Sequence, residues 1–226
     1  NIPSRYRSFI TINGKRTQEW DYSSLNPTLA YAQKGIQYGL DPKNDAYTLK
    51  DDLGFNIYDR DIVKEAFNAM LQSKRSKLHQ KPNGIEIPDG HPPWRQVRQQ
   101  LLTKHAPIAD LFFTGIGGKF QRLDSDIAEA VMLRCIEADI PVLPVHDSFI
   151  TYADAELGEF LKSTMQEVFE QFTGRMAGMK ESKKVTPMSL LAFHDGVLDV
   201  DTVLNNYDDY SISNDRQEIA RRYFKY

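Results

Sequence analysis

The chain has 226 residues, of which 41% are hydrophobic and 11% aromatic, so it can bury a core and is not a disordered segment. Its single cysteine, Cys135, excludes an intramolecular disulfide and is typical of proteins in a reducing compartment. The net charge is −3 and no apolar run approaches the ~20 residues that span a bilayer, so we expect a cytoplasmic protein with no membrane partner.

Charge is unevenly distributed along the chain. Residues 60–104 contain nine Lys and Arg against four Asp and Glu, whereas residues 124–171 contain two against eleven. A basic region beside an acidic one suits the binding of a polyanion and of cations. Solvated helix faces of opposite sign explain the same counts equally well, so charge alone leaves the partner open.

The first elements are predicted to be a β-hairpin followed by a helix. The stretch SFITINGKRTQEWDYS reads as two strands joined at Asn13-Gly14, a dipeptide that tolerates the positive φ angles of a type I′ turn. The second strand ends at Asp21 and Tyr22. Apolar spacing then predicts a helix, with Ser24 as its cap. An aspartate therefore stands at the end of a strand, just before a helix.

The middle of the chain is predicted to be helical. The stretch DRDIVKEAFNAMLQSKRSKLHQ, residues 59–80, is basic, and Arg60 and Lys64 project from the same side because they are four residues apart. Its apolar stripe consists of Ile62, Val63, Ala66, Phe67, Met70 and Leu71. A second helical stretch starts at residue 94 and ends in a glycine-rich break, which we interpret as a turn because it lacks the Lys-Ser/Thr of a P-loop. A third helix is capped by Asp124 or Ser125.

The stretch VLPVHDSFITYA, residues 142–153, is predicted to be a second hairpin with His146 and Asp147 at its tip. A long amphipathic helix follows, stopped by Gly174. Its predicted buried residues are Leu157, Leu161, Met165, Val168 and Phe172. An ionisable pair at the tip of an apolar hairpin is unexpected for a half-buried strand, and it indicates a site or a structural turn.

Asp21 and Asp147 both stand at strand ends. If the two strands are neighbours in one antiparallel sheet, the carboxylates converge at its edge and can bind hard cations such as Mg²⁺. Arg60 and Lys64 would then suit a triphosphate. The alternatives are a helix cap for Asp21, a structural turn for His146-Asp147, and a solvated face for the two cations. A second His-Asp pair, residues 194–195, hints more weakly at a metal phosphohydrolase.

Three motifs in chain order resemble those of family A nucleic-acid polymerases, the group that includes bacterial DNA polymerase I. EWDYSSLNP resembles motif A, RDIVKEAFNAM resembles motif B, and VHDSFITYADAELGEF resembles motif C, so that the resemblance covers roughly residues 8–175. The His-Asp-Ser-Phe of motif C is similar to that of the single-subunit RNA polymerases of phages and mitochondria.

The resemblance assigns roles to individual residues. It implies that Asp21 and Asp147 are catalytic and hold two Mg²⁺ or Mn²⁺ ions with help from the Tyr22 carbonyl. The residues implied to bind the incoming nucleotide are Arg60, Lys64, Asn26, Phe67 and Asn68. The residues implied to contact primer or template are His146, Gln121, Lys74 and Arg75.

Departures from the family pattern leave sugar choice open. Asn26 stands where the DNA polymerases have a Glu that helps to exclude the ribose 2′-hydroxyl. Gln72 stands where the family has Tyr, and Asn68 stands where the DNA polymerases place a stacking Phe, with Phe67 one position earlier.

The fold implied is α+β: an antiparallel palm sheet from residues 8–22 and 140–152, packed helices and a small helical fingers insertion. We expect the palm at 1–40 and 120–180, reduced fingers at 41–119 and a C-terminal extension at 181–226.

The function implied is template-directed nucleotidyl transfer on a DNA or RNA primer-template, using nucleoside triphosphates. An upstream region or a partner chain is expected to supply the thumb. The alternatives are an RNA polymerase or primase-like enzyme that accepts ribonucleotides, and a catalytically weak nucleic-acid-binding replication module.

Overall fold

The computed structural model describes residues 7, 9–41, 43–51, 53–54, 56–74, 80–81, 85–87, 89 and 91–182. Its strands are β1 (Thr11–Ile12), β2 (Lys15–Tyr22), β3 (Leu143–Val145), β4 (Ser148–Tyr152) and β5 (Met179–Glu181). Its helices are α1 (Leu25–Gln33), α2 (Arg60–Gln72), α3 (Trp94–Lys104), a 3₁₀ helix (Ala106–Leu111), α4 (Gly117–Glu137) and α5 (Ala155–Thr173). Helices together with an antiparallel sheet confirm the α+β class.

The chain forms two compact units. The first takes in the described parts of Asn1–Asp21, Cys135–Lys162 and Glu181–Tyr226, and the second takes in Tyr22–Arg134 and Ser163–Lys180. The domain boundaries expected at residues 40, 119 and 180 stay predictions. Beyond Ser182, the expected C-terminal extension lies outside the described residues.

Strand β2 is the centre of the sheet. The strand order is β1-β2-β4-β3, and β5 also pairs with β2. β1 and β2 meet across the turn at Asn13 and Gly14, whose φ angles are 51° and 77°. Positive φ at both central residues is the signature of a type I′ turn, whose twist matches that of the two strands, so the first predicted hairpin is confirmed.

The second predicted hairpin is also confirmed, and its register connects it to the first. β3 and β4 are antiparallel with Val145 opposite Ser148, which leaves His146 and Asp147 as the two turn residues. β4 is antiparallel to β2, from Thr17 opposite Tyr152 to Asp21 opposite Ser148.

Helix packing in the second unit follows the predicted stripe of α2. Val63, Ala66, Phe67, Met70 and Leu71 are all buried. The Phe67 ring meets the rings of Tyr47, His105 and Phe112 edge to face, at centroid distances of 5.7, 5.0 and 5.1 Å. Aromatic rings prefer this edge-to-face arrangement, so the cluster holds α2 against the segments that carry the three partner rings.

Helix α2 is shorter than predicted. It ends at Gln72 rather than at residue 80, and residues 75–79 lie outside the described part of the chain. The Met70 carbonyl, which a longer helix would use internally, accepts the Phe113 amide at 2.7 Å. The Ser73 carbonyl likewise accepts the Gly115 amide at 3.0 Å. Tertiary hydrogen bonds therefore replace the next helical turn.

Helix α4 is longer than predicted. It begins at Gly117, so Asp124 and Ser125 lie inside it and do not cap it. The Ser125 hydroxyl instead donates to the Gln121 carbonyl at 3.0 Å. Glycine has a low helix propensity, which made an early start look unfavourable. A Cβ atom at residue 117 would lie 2.5 Å from the end of the Gln72 side chain, so glycine lets this side chain approach the first turn closely.

Two smaller predictions are wrong. Ser24 precedes α1 with a left-handed φ of 51° and makes no capping hydrogen bond through its side chain. Phe172, in the last turn of α5, is 40% exposed. Phe169 is the buried aromatic residue instead, with its ring 5.5 Å from that of Tyr22.

Candidate active site

The first unit brings Asp21 and Asp147 to the same end of the sheet. Asp21 is the last residue of β2 to pair with β4, and its partner is Ser148, the residue directly after Asp147. Opposite residues of antiparallel strands have Cα atoms roughly 5 Å apart, so the two aspartates are neighbours across the sheet. Both side chains are half-buried, which leaves them open to solvent.

The turn that carries Asp147 has an uncommon backbone. His146, its first residue, has a φ of 55° and an exposed side chain. Non-glycine residues adopt positive φ infrequently, although His, Asn and Asp do so more readily than most. Asp147 is the second residue of this tight two-residue turn, so strand alternation does not dictate where its side chain points.

The faces of β2 explain why Asp21 is not covered by helix α5. Strand alternation puts Gln18 and Trp20 on one face and Asp21 on the other. The Gln18 amide lies beside Gly158 of α5, where a Cβ atom would come within 2.6 Å of it. Lys162 of the same helix places its ammonium 5.2 Å from the centre of the Trp20 ring. The first turns of α5 thus cover the opposite face.

A third carboxylate lies on the same face as Asp21, and sequence reasoning did not select it. Glu19 is two residues earlier in β2, and its side chain is only 12% exposed. It accepts hydrogen bonds from Arg7 Nη1 at 2.7 Å and from Ser148 Oγ at 2.5 Å. The period of two along a strand would have placed Glu19 beside Asp21, but the sequence carries no signal for either partner.

The available oxygen ligands fit a small hard cation. Mg²⁺ is usually held by one or two carboxylates together with substrate phosphates and water. Asp21 and Asp147 supply two carboxylates at one sheet end. Among the described side chains, no group of three or more His, Cys, Asp or Glu is arranged to hold a metal ion. A cation here therefore depends on these two aspartates and on oxygens from the backbone, the substrate or water.

Tyr22 was predicted to assist the metal through its carbonyl. Its side chain belongs to the core of the second unit, where the hydroxyl donates to the Met165 carbonyl at 2.7 Å. Burial raises the pKa of this hydroxyl far above its usual value, and the Asp124 charge raises it further. The phenol is a structural group, so only the backbone of Tyr22 remains for the predicted role.

In the second unit, Arg60 is held by a carboxylate. Its guanidinium donates to Asp45 through Nε at 3.2 Å and Nη2 at 2.8 Å, and it lies 5.0 Å from the centre of the Tyr47 ring. Partial burial raises the pKa of Asp45, but hydrogen bonds from Arg60 and Thr48 outweigh it and lower the pKa overall. A phosphate that binds Arg60 must compete with Asp45.

The other predicted nucleotide contacts differ in exposure. Lys64 is exposed on α2, one turn after Arg60. Asn26 and Asn68 are brought together, and the Asn26 amide donates to the Asn68 side-chain oxygen at 3.0 Å. Phe67 has no exposed surface. This burial disfavours the predicted contact between Phe67 and the incoming nucleotide, because a ring enclosed by other rings offers no face to a base.

The predicted primer or template contacts are spread over both units. His146 is exposed in the first unit, whereas Gln121 and Lys74 are exposed in the second. The backbone of Lys74 pairs with that of Thr114. Arg75 lies outside the described residues.

Within the described residues, no helix combines the length and the apolar character needed to cross a bilayer. Comparison of the sequence with protein-family models, with curated proteins and with solved structures gives no match.

Proposed function

We propose that the chain is a template-directed nucleotidyltransferase that uses Asp21 and Asp147 as its catalytic carboxylates. The observation that carries the proposal is the register of β2 and β4, in which Asp21 lies opposite Ser148 and hence beside Asp147. Two residues that are 126 positions apart, counted from 21 to 147, share one sheet end with half-buried carboxylates. In this proposal the sheet is the palm and the helical segment around α2 is the fingers.

The proposed role of each residue follows from the charge and hydrogen-bonding capacity of its side chain. Asp21 and Asp147 would hold the cations at the end of the sheet. Bound Mg²⁺ or Mn²⁺ would supply stabilisation of the charge on the attacking and leaving oxygens. In the second unit, Lys64 on α2 is the proposed contact for a triphosphate, and Arg60 would join it once the phosphate displaces Asp45. His146, exposed on the turn, is the proposed contact for the primer.

A catalytically weak nucleic-acid-binding module is the second candidate. Two observations favour it: Arg60 is already neutralised by Asp45, and Phe67 is fully buried. In this conformation the nucleotide-binding residues of α2 are therefore partly committed to the protein itself. A preference for ribonucleotides, as in an RNA polymerase or primase-like enzyme, is a variant of the first candidate. It depends on whether the Asn26–Asn68 pair admits or excludes the ribose 2′-hydroxyl.

Primer extension tests the proposal directly. The purified chain is given a DNA or RNA primer-template, Mg²⁺ or Mn²⁺, and either deoxynucleotides or ribonucleotides. We expect extension that falls by at least about 100-fold in Asp21→Asn and in Asp147→Asn, because each change removes a charged ligand. Asp139→Asn is the matched control: it makes the same change at an exposed position of the first unit, and its φ of 56° is one that Asn tolerates.

The outcomes separate the candidates. Extension that survives Asp147→Asn shows that this carboxylate is not a catalytic ligand and refutes the assignment. An absence of extension with measurable primer-template binding favours the binding module. Extension with ribonucleotides in preference to deoxynucleotides assigns the chain to RNA or primer synthesis.

A further inference from the structure

Glu19 is a nearly buried acid at the centre of the sheet. It lies on the same face of β2 as Asp21 and opposite Ile150 of β4. With its side chain 12% exposed, Glu19 has lost most of its contact with water, and a carboxylate in that position is stabilised by charged or hydrogen-bonding partners. What those partners are decides whether Glu19 can serve as a third metal ligand.

Both partners of Glu19 bind the same carboxylate oxygen, Oε1. Arg7 Nη1 lies 2.7 Å from it, and Ser148 Oγ lies 2.5 Å from it. Arg7 is itself 18% exposed, so the ion pair is shielded from solvent. The Arg7 charge offsets that of Glu19, and an acid neutralised in this way attracts a divalent cation weakly.

Ser148 connects Glu19 to the candidate catalytic turn. Ser148 is 2% exposed, directly follows Asp147 and lies opposite Asp21. Its hydroxyl also lies 2.9 Å from the Val145 carbonyl, within the turn. A hydroxyl has one hydrogen, and a charged acceptor at 2.5 Å is the stronger of the two. Through its hydrogen bond to Glu19, Ser148 therefore links the turn to β2. If Glu19 is removed, the Ser148 hydroxyl can still donate to the Val145 carbonyl.

From this geometry, and resting on the proposed function, we propose that Glu19 is a positioning residue for the metal site. It accepts the Ser148 hydroxyl and so holds the backbone of Asp147 at a fixed distance from Asp21, while the ion pair with Arg7 keeps its Oε1 atom from binding the metal. Groups that orient metal ligands in this way typically change metal affinity by about 10-fold to 100-fold when they are removed.

The affinity of the full chain for Mn²⁺ tests this role without any need for catalysis. Binding is monitored by the loss of the electron paramagnetic resonance signal of free Mn²⁺. We expect Glu19→Gln and Ser148→Ala each to weaken Mn²⁺ binding by about 10-fold or more. The double variant should be no weaker than the single ones, because both changes act on one hydrogen bond: Glu19→Gln removes the charge of its acceptor and Ser148→Ala removes its donor. Glu137→Gln, at an exposed position of the first unit, is the matched control.

The proposal is overturned if neither variant changes Mn²⁺ affinity. It is also overturned if Glu19→Gln abolishes binding as completely as Asp147→Asn does while Ser148→Ala has no effect, because Glu19 is then a ligand itself. Should Glu19→Gln not fold, Ser148→Ala decides alone, because it leaves the ion pair between Arg7 and Glu19 in place.

Amide hydrogen exchange separates this proposal from the proposed function. If wild-type Mn²⁺ binding does not depend on Asp21 and Asp147, the proposed function fails. Faster exchange at residues 146–148 in both Glu19→Gln and Ser148→Ala then still supports the role of the hydrogen bond between Ser148 and Glu19 in holding the turn. Unchanged exchange refutes that role.

Discussion

The buried His105 should make the second unit lose stability as the pH falls from about 6.5 to about 4. Its Nε2 lies 2.9 Å from the Ala46 carbonyl, which can only accept, so Nε2 carries the hydrogen. Its Nδ1 is then an acceptor and receives the Tyr31 hydroxyl at 3.1 Å. Both ring nitrogens are satisfied in the neutral form, and a second proton would face the Tyr31 hydroxyl.

The magnitude follows from the difference between the folded and unfolded states. The pKa of His105 is lowered from 6.5 to about 4, mainly by burial. The hydrogen bond to Ala46 raises the pKa and the Lys104 charge lowers it, but burial is the largest contribution. A base whose pKa is lower in the folded state binds protons preferentially when unfolded. Its contribution is therefore complete above pH 6.5 and is lost as the pH falls towards 4. At about 1.4 kcal/mol per pKa unit, the loss is about 3 kcal/mol.

Denaturant unfolding at pH values between 4 and 7.5 measures this loss. We compare the wild type with His105→Gln, whose amide can still donate to Ala46 and accept from Tyr31 but does not titrate. The variant should lose about 3 kcal/mol less free energy of unfolding than the wild type over this range. His91→Gln, at an exposed position, is the matched control and should behave as the wild type does.

Two results would refute this reasoning about His105. One is an NMR titration of its ring that gives a pKa near 6.5 in the folded protein. The other is an equal loss of stability in the wild type and in His105→Gln, which would place the acid sensitivity in other groups.

Two further predictions concern the second unit. Asp45→Asn removes the charge that holds Arg60, so we expect nucleoside triphosphate binding to tighten several-fold in equilibrium dialysis; unchanged or weaker binding would show that Arg60 does not contact phosphate. Gly178→Ala would drive a methyl group into the Gly39 carbonyl and should cost roughly 3 kcal/mol or more in thermal unfolding. Gly118→Ala, which meets nothing within 4 Å in helix α4, should be neutral or stabilising by up to about 1 kcal/mol; equal losses at both positions would contradict this reading of the contacts.

The local elements of the candidate site were predictable because their signals are short in range. A two-residue turn at Asn13-Gly14 and another at His146-Asp147 follow from the residues themselves and from the strands on either side. The apolar stripe of α2 follows from helical periodicity. These signals placed Asp21 at a strand end and Asp147 at a hairpin tip.

The boundaries of the helices were less predictable, because tertiary contacts override local propensity. Helix α2 stops where the Phe113 and Gly115 amides take its free carbonyls. Helix α4 begins at a glycine that the end of the Gln72 side chain approaches closely. Neither contact can be seen in the few residues around the boundary itself.

The sequence by itself determined the candidate residues and their local setting: two aspartates, one at a strand end and one at a hairpin tip, and two cations on one helix. Only the tertiary structure decided which partners those groups have. It set Asp21 opposite Ser148, joined Glu19 to both Ser148 and Arg7, and paired Arg60 with Asp45. The physical reason is distance along the chain: periodicity and turn chemistry act over a few residues, whereas Glu19 and Ser148 are 129 residues apart and meet only through strand pairing.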